Sequence, residues 1–148
     1  MKGERSLSHL LEVDLRIPGI WSKVRPYAES AIDKTCFSDL NVDDLLPLCL
    51  SGQAKAWIIV NGENVIGAGV TTVKRYPRRS HLEIAFFGAE ENSQIWEQHF
   101  GDMVEHARAN SCDTISLSGR VGWARKLKSM GVPVRTKQVV EVDLGEMP

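Results

Sequence analysis

Ala56-Trp57-Ile58-Ile59-Val60, then Asn61-Gly62-Glu63-Asn64, then Val65-Ile66-Gly67-Ala68-Gly69-Val70-Thr71-Thr72-Val73 is the stretch on which the fold turns. Two runs rich in β-branched residues flank a glycine-containing turn, the pattern of a β-hairpin. Downstream, Arg75-Tyr76-Pro77-Arg78-Arg79-Ser80 reads as a basic loop broken by proline, and His81-Leu82-Glu83-Ile84-Ala85-Phe86-Phe87 as a third strand that leaves through Gly88-Ala89. Three antiparallel strands in succession are expected.

Further along, Ile95, Trp96, Phe100, Met103, Val104 and Ala107 trace one face of a helix over residues 93–110, with Asn92 or Ser93 as its cap and His99 and His106 at its surface or boundary. Thr114-Ile115-Ser116-Leu117 alternates as a strand. Gly119-Arg120-Val121-Gly122-Trp123 turns, and Trp123, Leu127 and Met130 supply the inner face of a short helix stopped by Gly131. Residues 132–144, mostly β-branched, read as a last strand. Upstream, Leu10, Leu11, Val13, Leu15 and Ile17 suggest a first strand closed by Pro18-Gly19. A helix follows from Ile20 to Ala31, which Pro26 is expected to kink or split. Asn41 caps a second short helix with Asp43 and Asp44 in its first turn, and Ser51-Gly52 stops it. The plan is a mixed α/β domain of strand, two helices, three strands, helix, strand, helix, strand.

Composition narrows the classes. At 148 residues, with 43% hydrophobic and 25% charged residues, the chain is sized for one domain spanning 1–148 that builds a core without disulfides or a structural metal. Eighteen Lys+Arg against nineteen Asp+Glu leave a net charge of −1, which offers no general field for nucleic acid or an anionic membrane. Cys36, Cys49 and Cys112 are odd in number and widely spaced, so reduced thiols in a cytoplasmic setting are expected. Acids interrupt the only apolar run near the N-terminus, and no signal-peptide core or membrane span is read. His9, His81, His99 and His106 form no ligand spacing, and neither a Gly-x-Ser-x-Gly elbow nor a phosphate-binding P-loop motif occurs.

The element order resembles the GNAT N-acetyltransferase superfamily over nearly the whole chain. Ala56-Trp57, Val65-Ile66-Gly67-Ala68, the helix exit from Ala107 to Cys112, and Ser118-Gly119-Arg120-x-Gly122-Trp123-x-x-x-Leu127-x-x-x-Gly131 look similar to small acetyltransferase-like proteins of tailed phages and prophages. The resemblance implies a mostly antiparallel central sheet flanked by about four helices, splayed between its fourth and fifth strands. Acyl-coenzyme A, acetyl-CoA or another, would enter that splay. It implies main chain of Phe86, Phe87, Gly88 and Ala89 along the pantetheine arm, and Ser93 at the helix terminus facing pyrophosphate. For a phage protein the setting would be the host cytoplasm or the virion, with an amine substrate or a phage or host protein as partner.

The phosphate loop departs from the family pattern. Gly88-Ala89-Glu90-Glu91-Asn92-Ser93-Gln94 lacks the arginine or glutamine followed by small residues. Each uncompensated like-charge contact from Glu90 or Glu91 would oppose a phosphate by roughly 1–4 kcal/mol. These acids otherwise complement the helix dipole.

Acyl transfer to an amine needs a base and an acid. Glu83 matches the family's strand-borne carboxylate, or else lies on a solvated face or pairs with Arg78 or Arg79. The family's late tyrosine is missing here, since no tyrosine follows Tyr76. Cys112 offers a thiol and Ser116 a hydroxyl, although a cysteine beside a strand also serves as small core filler. Arg120 and Trp123 sit where an acidic substrate or phosphate could bind, or else form a turn with Trp123 packed inward. Two functional classes follow: an N-acyltransferase, or a non-catalytic interaction or virion protein on the same scaffold. Nucleic-acid contact through two basic groupings, Lys74, Arg75, Arg78 and Arg79 in the hairpin loop and Arg120, Arg125, Lys126, Lys128, Arg135 and Lys137 toward the end, is a minor third, because aromatics are not interleaved in the first.

Overall fold

The computed structural model describes residues 8–32, 40–90, 95–117 and 122–148. Its elements run β1 (Ser8–Val13), α1 (Ile20–Ile32), α2 (Val42–Leu50), β2 (Lys55–Asn61), β3 (Asn64–Arg75), β4 (Ser80–Ala89), α3 (Ile95–Ala109), β5 (Thr114–Leu117) and α4 (Gly122–Ser129), with a 3₁₀ turn at Leu144–Glu146. The sheet order is β1-β2-β3-β4-β5. The first four strands are antiparallel and β5 lies parallel to β4, giving the expected mixed sheet with four helices.

Local chemistry explains each boundary. Gly62 takes φ +65° in the tight β2–β3 turn, a conformation glycine adopts without strain. The Asn41 side chain accepts from the Asp43 amide while Asp44 Oδ2 accepts from the Asn41 amide, a reciprocal cap that starts α2. Pro26 does not split α1, which runs unbroken from Ile20 to Ile32. The proline is on the exposed face, so water can satisfy the carbonyl that loses its partner.

Side chains alternate across the sheet and build a core on each face. Ala56, Ile58, Ala68, Val70 and Phe86 pack under Val24 and Ala28 of α1 and Leu45 of α2. Trp57, Leu82 and Ile84 pack on the opposite face with Met103 and Ala107 of α3, and Ile59 and Ile66 with Ile95. In α3 the buried residues Ile95, His99, Met103 and Ala107 recur every fourth position. His99 is therefore core, only 9% exposed, and not the surface or boundary residue its polarity suggests. With Nδ1–H donating to Asp102 at 2.9 Å, its Nε2 accepts from the Ser8 hydroxyl at 2.9 Å and ties β1 to α3.

The last expected strand does not form. Past α4, residues 132–143 form no regular element and pair with no strand, and Val139, Val140, Val142 and Leu144 are exposed. A β-rich sequence becomes a strand only when another strand satisfies its main chain.

Candidate active site

The β4–β5 junction is fastened where the two strands begin. At the fastened end Asp113 and Ser80 exchange contacts: the Asp113 amide donates to the Ser80 carbonyl at 2.8 Å, and the Ser80 amide to Asp113 Oδ2 at 2.9 Å. His81 Nδ1 meets the Thr114 hydroxyl one step on, and the Tyr76 ring stands edge-on to His81 at 5.6 Å. Arg75 reinforces the corner through Ser80 and the Asn110 carbonyl. Pairing then covers His81↔Thr114 to Ile84↔Leu117. Beyond Ile84, β4 continues to Ala89, and the described part of β5 reaches Leu117, residues 118–121 lying outside the described residues.

A β-bulge lies just past the paired stretch of β4. Register against β3 passes from Val70↔Phe86 to Thr71↔Ile84, which leaves Ala85 as the extra residue. Ala85 and Phe86 both pack on the α1 face, whereas Ile84 and Phe87 pack on the α3 face. A bulge bends its strand and increases local twist. The sequence reading expected the strands to part near residues 86 and 116; Ser116 is instead paired with Glu83, and the bulge was not anticipated, since no residue type announces it.

The main chain after the bulge has a definite polarity. The Glu90 amide donates to the Ile66 carbonyl at 3.1 Å, and the Gly88 carbonyl oxygen lies beside Gly67 of β3. By strand alternation Phe86 and Gly88 turn their main-chain groups to β3, and Phe87 and Ala89 turn theirs away from β3. The expectation that Phe86 and Gly88 present main chain to the splay is corrected on this point. Gly88 has a different task. A β-carbon there would stand 2.7 Å from the Tyr27 carbonyl oxygen, so only glycine lets α1 approach β4 so closely. The Phe86 side chain is buried in the α1-side core and the Phe87 side chain is half-buried toward α3.

Among the proposed catalytic residues the structure brings two together. Register places Glu83 beside Ser116 of β5 and Thr72 of β3, so all three share one face of the sheet. The Thr72 hydroxyl donates to Glu83 Oε1 at 3.4 Å, and Glu83 is half-buried two residues before the bulge. Cys112 is on the other face, packed with Trp57 and Met103, its Sγ 3.8 Å from the Asn110 carbonyl. Its surroundings are those of core filler. Trp123 is half-buried in the first turn of α4. Ser93 and Arg120 lie outside the described residues, as do Cys36, Asn92, Glu91 and Gly119.

Tyr27 is the tyrosine that α1 carries to this end of β4. Burial, with the Glu90 charge second, raises its pKa, and its hydroxyl donates to the Val65 carbonyl at 3.0 Å. Behind the bulge, between sheet and α3, is a cavity of about 20 Å³ bordered by Trp57, Gly69, Thr71, Phe87, His99 and Met103. It has room for about one water molecule. The buried Trp57 indole donates to the Thr71 hydroxyl at 2.9 Å across its wall. Among the described residues no group of three or more His, Cys, Asp or Glu could hold a metal ion, and no helix is long and apolar enough to cross a membrane.

No family model and no curated protein matches the sequence. Solved structures do match the fold. An acetyltransferase from Clostridium acetobutylicum, solved with acetyl-CoA, superposes with a TM-score of 0.68 at 15% identity, covering 95% of this chain and 99% of that one. A ribosomal-protein-alanine N-acetyltransferase from Brucella melitensis gives 0.68 at 12% identity, over 92% and 99%. An aminoglycoside acetyltransferase from an uncultured soil sample, in complex with sisomicin, gives 0.68 at 12%, over 92% and 94%. The shared feature is architecture: this chain has a GNAT-like fold.

Proposed function

We propose that the protein is an N-acyltransferase that takes an acyl-coenzyme A donor at the β4–β5 parting and an amine as acceptor. The observation that carries this reading is the geometry at Glu83, half-buried between Thr72 and Ser116 on one face of a sheet whose fold is similar to that of solved acetyltransferases. The donor would supply an activated thioester carbonyl. Glu83 is the residue that accepts the amine proton, held by Thr72 beside Ser116. The Ser116 hydroxyl orients the amine on the same face. Structures of the same fold that contain acetyl-CoA or an aminoglycoside support the choice of donor and acceptor class.

Titration with acetyl-CoA tests this reading. A site saturated at one hundred times Kd stabilises the fold by about 2.7 kcal/mol. No rise in melting temperature at millimolar acetyl-CoA overturns it. Glu83→Gln is expected to lower kcat/KM for amine acylation by about 10²–10⁴ with stability little changed. Equal turnover in the variant removes Glu83 from the role.

A second reading, a non-catalytic interaction protein or virion component, draws on one observation. Glu90 stands exposed at the exit of β4, on the approach to α3, where the donor's phosphates would have to dock. Failure to bind acetyl-CoA, together with specific capture of a phage or host protein, would favour it.

A further inference from the structure

We propose that Ser8, His99 and Asp102 form a second site, a Ser-His-Asp relay that hydrolyses short-chain carboxylic esters through an acyl-Ser8 intermediate. The proposal rests on these residues and not on the acyl-transfer reading at Glu83. The Ser8 hydroxyl meets His99 Nε2 at 2.9 Å, and His99 Nδ1 meets Asp102 Oδ2 at 2.9 Å. A nucleophile on one ring nitrogen and a carboxylate on the other is the arrangement in which an imidazole serves as general base. Asp102 holds the proton on Nδ1, which leaves the Nε2 lone pair for the Ser8 hydroxyl.

The fold brings the three together from distant positions. His99 and Asp102 are three apart on α3, so one helical turn sets their contact, and Ser8 opens β1 91 residues before His99. His99 is buried, Ser8 is half-buried and Asp102 is exposed at the outer end of the relay. β1 ends the sheet order, so Ser8 stands on a strand whose outer edge no other described strand covers. The Gln98 carboxamide is 3.4 Å from the same hydroxyl. A half-turn of that amide presents its N–H to an oxygen that develops negative charge beside Ser8. Leu10, two residues on and on the same face of β1, borders the cavity of about 20 Å³ together with His99. Room for about one water molecule suits the methyl of an acetyl group and excludes a long acyl chain.

The chemistry balances with water as the only co-reactant. Ser8 Oγ bonds to the ester carbonyl carbon as its proton passes to His99 Nε2, and the carbonyl electron pair moves onto oxygen, facing Gln98. When that pair returns, the bond to the leaving alkoxide or phenoxide breaks, and the leaving oxygen takes the proton from Nε2. Water then adds to the acyl-Ser8 carbon with its proton going to Nε2. The bond to Ser8 Oγ breaks, Oγ recovers the proton, and the carboxylic acid departs.

Fluorophosphonate labelling of the intact chain, with the adduct located by peptide mass, and hydrolysis of p-nitrophenyl acetate and octanoate test the site. An adduct on Ser8 is expected, with kcat/KM for the acetate at least about tenfold above that for the octanoate. Ser8→Ala should lose label and turnover at an unchanged melting temperature. Asp102→Asn should lower kcat by about 10²–10⁴ with KM unchanged, and Asp102→Glu should restore part of it. A contact that only ties α3 to β1 predicts no such split. Should Ser8→Ala unfold, Ser8→Cys keeps a similar shape, and its thiol should react with iodoacetamide at least about tenfold faster than Cys49, whose pKa burial pushes up to about 11. The proposal is overturned by the absence of a Ser8 adduct, by turnover that survives Ser8→Ala, by an equal kcat in Asp102→Asn, or by a Ser8→Cys thiol no faster than Cys49.

Discussion

Gly88 shows how one missing side chain sets the distance between two layers. With the Tyr27 carbonyl oxygen 2.7 Å from its would-be β-carbon, Gly88→Ala must push α1 outward or bend β4. The expected cost is about 1–3 kcal/mol, read as a lower urea midpoint. Gly101→Ala is the control, because a β-carbon there meets nothing within 4 Å on a helix. That change should stabilise by about 0.5–1 kcal/mol, and equal effects at both positions would refute the close-approach argument. His106 acts through its charge. Its ring stands edge-on to Trp57 at 4.5 Å, and burial first, then Lys55, lower its pKa, while Glu12 opposes. A depressed pKa means the folded state prefers the neutral ring. Its contribution is present above the ordinary histidine value near 6.5 and is lost as pH falls through the folded value. The urea midpoint should therefore drop on going from pH 7 to pH 5, and drop less in His106→Gln. An unchanged slope would remove His106 as a source.

At the level of single elements, α2 depends most visibly on a cap. Asn41→Ala removes the acceptor that holds the Asp43 amide at 2.8 Å. The expected loss is about 1 kcal/mol with an unchanged m-value, and Asn41→Ser should recover most of it; no loss on Asn41→Ala would show that α2 does not depend on this contact. This cap was legible in the sequence, as were the β2–β3 hairpin and the four residues of β5, because turn glycine, capping chemistry and alternation are local signals. What was hidden depends on distant partners. Residues 132–144 carry as strong a β pattern as β2, yet a pattern cannot name the edge that accepts it. Ala85 becomes a bulge only because β3 and β4 differ by one residue in register. The burial of His99 was recoverable in principle, since the series Ile95, His99, Met103, Ala107 has helical spacing. A reading that follows only apolar residues skips it. In the candidate site, Glu83 and Ser116 were legible as residue types, and the parallel register of β4 and β5 supplies their proximity. Cys112 went the other way, because it lies ahead of β5, outside the strand's alternation, and packs in the opposite core.

Across the whole molecule, a single sheet serves two cores, and that determines how the protein should come apart. Leu45 of α2 is 1% exposed and belongs to the α1-side cluster, whereas Leu82 of β4 is fully buried in the α3-side cluster. Neither core can persist once the strands between them separate, because Ile58 and Trp57, adjacent in β2, face opposite clusters. Loss of either helical layer therefore exposes the sheet that the other layer needs. Leu45→Ala and Leu82→Ala should each cost about 2–5 kcal/mol. Sharing no cluster, their effects should add to within about 0.5 kcal/mol in the double variant. Far-UV circular dichroism and tryptophan fluorescence should report the same urea midpoint in every variant, as one cooperative transition requires. Two separated midpoints in Leu82→Ala, with the fluorescence change first, would mean that α3 and its face unfold as an independent unit. The sheet would then be held chiefly by α1 and α2, and the two cores would not be the single cooperative unit that the shared strands imply.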